Sequence, residues 1–167
     1  YVADIDGGDN VSSVKVDFDF ALNPAIVGPE SSTEINFTVG KGGVSLTSSS
    51  RRAFEMRILQ DGTIDMRSEG TSTQIGTFST GATHSLSVLL NSDDAATLDY
   101  STAGGGSGTL SSNTFHVYLD GVKLGEYAFF LDPSDAGVAY NEGVADLGRV
   151  AFYQDTGSSG ALIIDDL

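Results

Sequence analysis

Apolar and polar residues alternate through most of this chain, and helical spacing is almost absent. Val14, Val16, Phe18, Phe20 and Leu22 fall on one side of an extended segment, with Lys15, Asp17 and Asp19 on the other. Successive strand side chains point to opposite faces, so this pattern predicts a half-buried strand. The same period predicts strands at 35–39, 73–78, 83–91, 97–101, 149–154 and 161–167. In 83–91, Leu86, Val88 and Leu90 face inward, and His84 shares their parity in a structural role. In 149–154, Val150 and Phe152 face inward, while Arg149 and Tyr153 face outward. Residues 23–32 and 131–146 read as loops, and 103–108 as a flexible glycine loop.

Two hairpins organise the pattern. In FHVYLDGVKLGEY, residues 115–127, Asp120-Gly121 suits a two-residue turn in which both central residues need positive φ. Leu119 then pairs with Val122, Val117 with Leu124 and Tyr118 with Lys123. Phe115, Val117 and Leu119 face the core, and Tyr118, Lys123, His116 and Tyr127 face away. In residues 53–67, a three-residue loop at 60–62 with Gly62 left-handed pairs Ile58 with Ile64 and Met56 with Met66. It also sets Arg57 against Asp65 and Glu55 against Arg67 as cross-strand ion pairs. A two-residue loop would put Ile58 opposite Asp65 and mix the faces. About a dozen short strands without a sequence repeat predict an all-β, two-sheet antiparallel β-sandwich, a single domain over residues 1–167.

Composition narrows the function. A chain of 167 residues buries roughly 70% of its unfolded surface, enough for a core without covalent staples. With no cysteine, disulfides and thiolate metal sites are excluded. No apolar run reaches the roughly 18 residues of a membrane span. The net charge of -15, from 23 acidic and 8 basic residues, disfavours nucleic acid and anionic membranes as partners. Seventeen of the acids are Asp, mostly beside Gly, Ser or Asn. Asp suits turns and is also a calcium ligand. Abundant Gly, Ser and Thr fit a secreted, extracellular module, expected to be a monomer cut from a larger secreted protein.

Three stretches in order, AFEMRILQDGTIDMR, FHVYLDGVKLG and LGRVAFYQDTGSSGALIIDDL, carry a resemblance over most of the chain. It resembles the concanavalin A-like (laminin G-like) jelly-roll superfamily. The resemblance implies a module joined to a catalytic or surface domain, with the first and last strands side by side. It also implies a structural calcium between the chain ends, held by Asp165 with Asp4 or Asp6. Catalysis is not expected. The paired acids of the glucanase branch are missing, and Arg52-Ala-Phe-Glu55-Met-Arg57 is only faintly similar to the R-x-E-L-R of alginate lyases. Gln74-Ile75-Gly76 lacks the His of the matching Q-I-H.

The expectation is a non-catalytic carbohydrate-binding module taking a neutral or lightly charged polysaccharide. Its contacts would come from Tyr118, Lys123, Tyr127, Tyr140, Arg149 and Tyr153. No Trp is present to serve as a sugar platform, which sets the affinity low. The alternatives are a structural or adhesive module without a sugar site, and a polysaccharide lyase-like enzyme.

Overall fold

The structure, a computed structural model, describes residues 2–4, 11–22, 34–41, 46, 52–68, 71–93, 95–101, 107–129, 147–154 and 162–165. Among them are β1 (Val2–Asp4), β2 (Ser13–Leu22), β3 (Glu34–Lys41), β4 (Arg52–Leu59), β5 (Thr63–Ser68), β6 (Thr71–Thr77) and β7 (Thr83–Asn91). β8 (Leu98–Ser101), β9 (Ser107–Leu110), β10 (Thr114–Leu119), β11 (Val122–Ala128), β12 (Leu147–Gln154) and β13 (Leu162–Asp165) complete the set. No helix occurs among the described residues. The strands form a six-stranded sheet ordered β1-β12-β3-β4-β5-β6 and a five-stranded sheet ordered β11-β10-β7-β2-β13. Every pairing is antiparallel. This is the expected all-β jelly-roll sandwich.

Alternation explains the core. The inward residues of β2, β3, β4, β7, β10 and β12 interleave between the two sheets. Phe18 lies 4.9 Å from Phe37 and 5.0 Å from Phe152, centroid to centroid, and Phe37 stacks on Phe152 at 4.8 Å. Phe54 stacks on Phe115 at 4.9 Å. At one side of the sandwich β6 approaches β11 closely. A Cβ added to Gly76 would stand 2.9 Å from Leu124 Cδ1, so glycine lets the sheets close there.

The hairpin of β4 and β5 has the expected register: Ile58 faces Ile64, Met56 faces Met66, Arg57 faces Asp65 and Glu55 faces Arg67. Gly62 has φ +85°, and Phe78 N–H donates to its carbonyl at 2.7 Å. The Asp120-Gly121 turn is also as expected, with φ of 50° and 78°.

Three expectations need correction. First, β11 carries a bulge, so Val117 pairs with Gly125 rather than Leu124. Without it Glu126 would face Phe115 in the core. With it, Glu126 turns out to His116 and Tyr127 turns in, its ring 5.5 Å from Phe115. Tyr127 therefore packs on the core rather than pointing away. Second, β9 begins inside the stretch read as a glycine loop, and β8 pairs with it as a separate two-stranded hairpin. Third, the first and last strands do not pair with each other: β1 pairs with β12 and β13 pairs with β2, each as an edge strand of its own sheet.

Candidate functional site

The two sheets leave two outer faces, and the sequence-derived site residues divide between them. On the five-stranded sheet, Tyr118 and Lys123 are partners on the outer side. Tyr118 is not the exposed platform expected. The β8–β9 hairpin lies over it, and Tyr118, Leu89 and Leu110 form a small second core with Leu98 and Tyr100. Tyr100 Oη lies 2.5 Å from Tyr118 Oη and 2.7 Å from His116 Nδ1. His116 Nε2 lies 2.7 Å from Glu126 Oε2. The bond from His116 holds the Glu126 carboxyl below its ordinary value, although some desolvation acts the other way. Burial pushes the Tyr100 phenol up, and its bond to Tyr118 adds to this. This cluster pins the hairpin to the sheet. Lys123 stays exposed at its margin, with Nζ 3.1 Å from His116 Nε2.

A second polar group lies at one end of the same sheet. His84 Nδ1 is 2.7 Å from Asp120 Oδ2, and Ser79 Oγ is 3.2 Å from His84 Nε2. The order matches that of a nucleophile, base and acid, but Nε2 is nearer the Ser79 carbonyl oxygen, at 3.0 Å. When protonated, the ring can donate from Nδ1 to Asp120 and from Nε2 to the Ser79 carbonyl, which makes it a clasp between the two. Burial alone would lower the His84 pKa, yet the bonds to Asp120 and to the Ser79 carbonyl raise it. Burial would likewise raise Asp120, and the bonds from His84 and from Ser85 N–H lower it.

These shifts predict a bell-shaped stability profile. The His84 contribution is complete below its unfolded value of about 6.5 and is lost as pH rises through the raised folded value. The Asp120 contribution is complete above about 3.9 and is lost as pH falls through the lowered folded value. Melting temperatures from pH 3 to 9 should therefore show a shoulder between about 4 and 6.5 that His84→Gln removes. An identical profile in that variant would refute the clasp.

The outer face of the six-stranded sheet is different. Its cross-strand rows follow from register. Arg149, Gly40 and Arg52 form one row; Ala151, Thr38, Glu55, Arg67 and Ser72 form the next. Tyr153, Asn36, Arg57, Asp65 and Gln74 form the third. Arg149 and Tyr153 thus face outward, as expected, and both are half-buried. Glu55, 1% exposed, holds Arg52 Nη1 and accepts from Arg67 Nη1 at 3.0 Å. Arg57 reaches Glu34 at 3.1 Å rather than the expected Asp65. Arg52 also donates to the Leu46 carbonyl at 2.6 Å and lies 5.0 Å over the Tyr153 ring.

Amid these satisfied groups, Asn36 is 0% exposed, and neither its Oδ1 nor its Nδ2 has a hydrogen-bond partner among the described residues. Alternation shows only that Asn36 lies on the polar side of β3. Nothing in the sequence signals its burial there or its place beside Arg57.

The remaining expectations are placed as follows. Tyr140 and Asp6 lie outside the described residues. Asp4 closes β1 opposite Arg149, and Asp165 closes β13 opposite Asp19. Among the described residues no three candidate ligands gather, and the side chains of Asp4, Asp6 and Asp165 lie outside those described.

No family model and no curated protein matches the chain. Among solved structures, one described as a sialidase is similar, with a TM-score of 0.57 and 15% identity. The match covers 96% of this chain and 13% of that one. Sheep galectin-11 in complex with glycerol has a TM-score of 0.49 and 12% identity, covering 98% of this chain and 96% of that one. An alginate lyase variant in complex with alginate trisaccharide has a TM-score of 0.49 and 13% identity, covering 99% and 72%. At 15% identity the likeness to the sialidase bears on the fold alone.

Proposed function

We propose that this chain is a non-catalytic carbohydrate-binding module of a secreted protein, with a polysaccharide lying across the outer face of the six-stranded sheet. The observation that carries the reading is Asn36. A buried amide with both atoms unpaired costs stability, and such groups are retained where a ligand or water completes them. Asn36 sits in the row Tyr153–Asn36–Arg57–Asp65–Gln74, one residue from each of five adjacent strands. At about 4.8 Å between strands the row spans about 19 Å, room for several sugar units. Tyr153, with Arg52 over one side of its ring, supplies a half-buried aromatic edge, and the amides and charged groups supply donors and acceptors for hydroxyls. Glu55, the central carboxylate, is committed to Arg52 and Arg67, which favours binding over chemistry.

The test is affinity electrophoresis against β-glucan, agar, alginate, carrageenan, xylan and fucoidan. Retardation by one glycan class is expected. Tyr153→Ala should largely abolish it, and Lys123→Ala, on the opposite face, should leave it intact. Loss in Lys123→Ala alone would move the site to the five-stranded sheet. No retardation on any glycan would favour a structural or adhesive module. Calcium stabilisation is proposed alongside, on the Asp-rich composition and the acidic ends of β1 and β13. Its test is the melting temperature with calcium and with chelator, and an unchanged value counts against it.

A further inference from the structure

We infer that the polysaccharide is acidic, and that Asn36 and Arg57 together receive its anionic groups; this rests on reading the six-stranded sheet's outer face as the glycan site. Asn36 and Arg57 are Cα partners across β3 and β4. Arg57 Nε is buried and, like the Asn36 amide, has no hydrogen-bond partner among the described residues. Its distance of 3.8 Å to Glu55 Oε1 is beyond hydrogen-bond reach. Asn36 Nδ2 has two hydrogens to give, Arg57 Nε has one, and the pair offers the single carbonyl acceptor of Asn36. Donors side by side on neighbouring strands suit the paired oxygens of a carboxylate or sulfate. A neutral hydroxyl, itself a donor, uses that set less completely.

Charge placement points the same way. The chain carries -15, yet four of its five arginines, Arg52, Arg57, Arg67 and Arg149, lie on this face. The opposite outer face presents Asp17, Asp19 and Glu126 with Lys15 and Lys123. With Glu34, Glu55 and Asp65 among them, the four arginines leave this face slightly positive, against a slightly negative opposite face, so an acidic polymer is less repelled here.

The Asn36 amide and Arg57 Nε are both closed off from solvent in the free chain, so a ligand acid reaches them only by displacing the Glu34 side chain from Arg57. The Glu34 carboxylate accepts from Arg57 Nη1 at 3.1 Å, with side-chain exposures of 17% and 19%. It occupies the guanidinium as a ligand acid would. Partly exposed pairs of this kind are weak, and a polymer carrying many acids competes with effectively high concentration.

The experiment is titration calorimetry with alginate and carrageenan as acids and laminarin and xylan as neutral glycans, at low and high salt. The proteins are wild type, Glu34→Gln, Asn36→Ala and Arg57→Lys. Acid-selective binding that weakens with salt is expected. Glu34→Gln should tighten it about fivefold by removing the internal competitor, a gain that misfolding cannot produce. Asn36→Ala and Arg57→Lys should weaken it without a lower melting temperature in Asn36→Ala. Neutral glycans binding as tightly as acids, with Glu34→Gln unchanged, would overturn this inference and leave the glycan-binding face standing. No binding to any of the four would overturn both.

Discussion

Glu55→Ala should lower stability by about 3–5 kcal/mol, the cost of leaving buried charge without its partner. Glu55 is 1% exposed and serves three guanidiniums: it contacts Arg52, accepts from Arg67 at 3.0 Å and lies 3.8 Å from Arg57. Arg52, with 7% of its side chain exposed, cannot swing to water without leaving the Tyr153 ring and the Leu46 carbonyl. Arg67, at 35%, can rehydrate, so most of the loss traces to Arg52. Urea unfolding measures this as a lower midpoint at unchanged slope. A loss below about 1 kcal/mol would show that water already shares the network.

Phe37→Ala should be of similar size, about 3–5 kcal/mol, for a different reason: it removes a large buried ring and leaves a cavity. Phe37 is 0% exposed and touches Phe18 from the facing sheet and Phe54 and Phe152 from its own. It is therefore where the two sheets grip each other. At roughly 2–4 °C per kcal/mol for a chain of this size, the melting temperature should fall by about 10 °C. A fall of only one or two degrees would mean that neighbouring rings collapse into the space.

How much of this was legible in the sequence depends on what each feature needs. The β4–β5 hairpin was readable to the residue, because one register sorts both faces and Gly62 marks the loop. The turn at Asp120-Gly121 was readable for the same reason. The bulge in β11 was not, since plain alternation assigns every second residue to one face. Only the cost of burying Glu126 against Phe115 reveals the extra residue, and with it the inward turn of Tyr127. The cover over Tyr118 left a signal that alternation ignores: Leu89, apolar at an outward position, with Leu98 and Leu110 nearby to meet it. Arg149 and Tyr153 were placed on the correct side of β12, but their neighbours were not foreseen. Tyr153, Asn36 and Arg57 come together from strands whose order no local pattern states.

The β8–β9 hairpin has a consequence beyond the residues it covers. Among the described residues it lies on one outer face only, which makes the sandwich two-sided in the sense of a tile with a back and a front. A molecule with two equivalent faces could bridge two polymer strands and cross-link them. If the six-stranded face is the glycan site as proposed, a module covered on its reverse would attach to a single strand in one orientation, with the hairpin turned towards the surrounding medium.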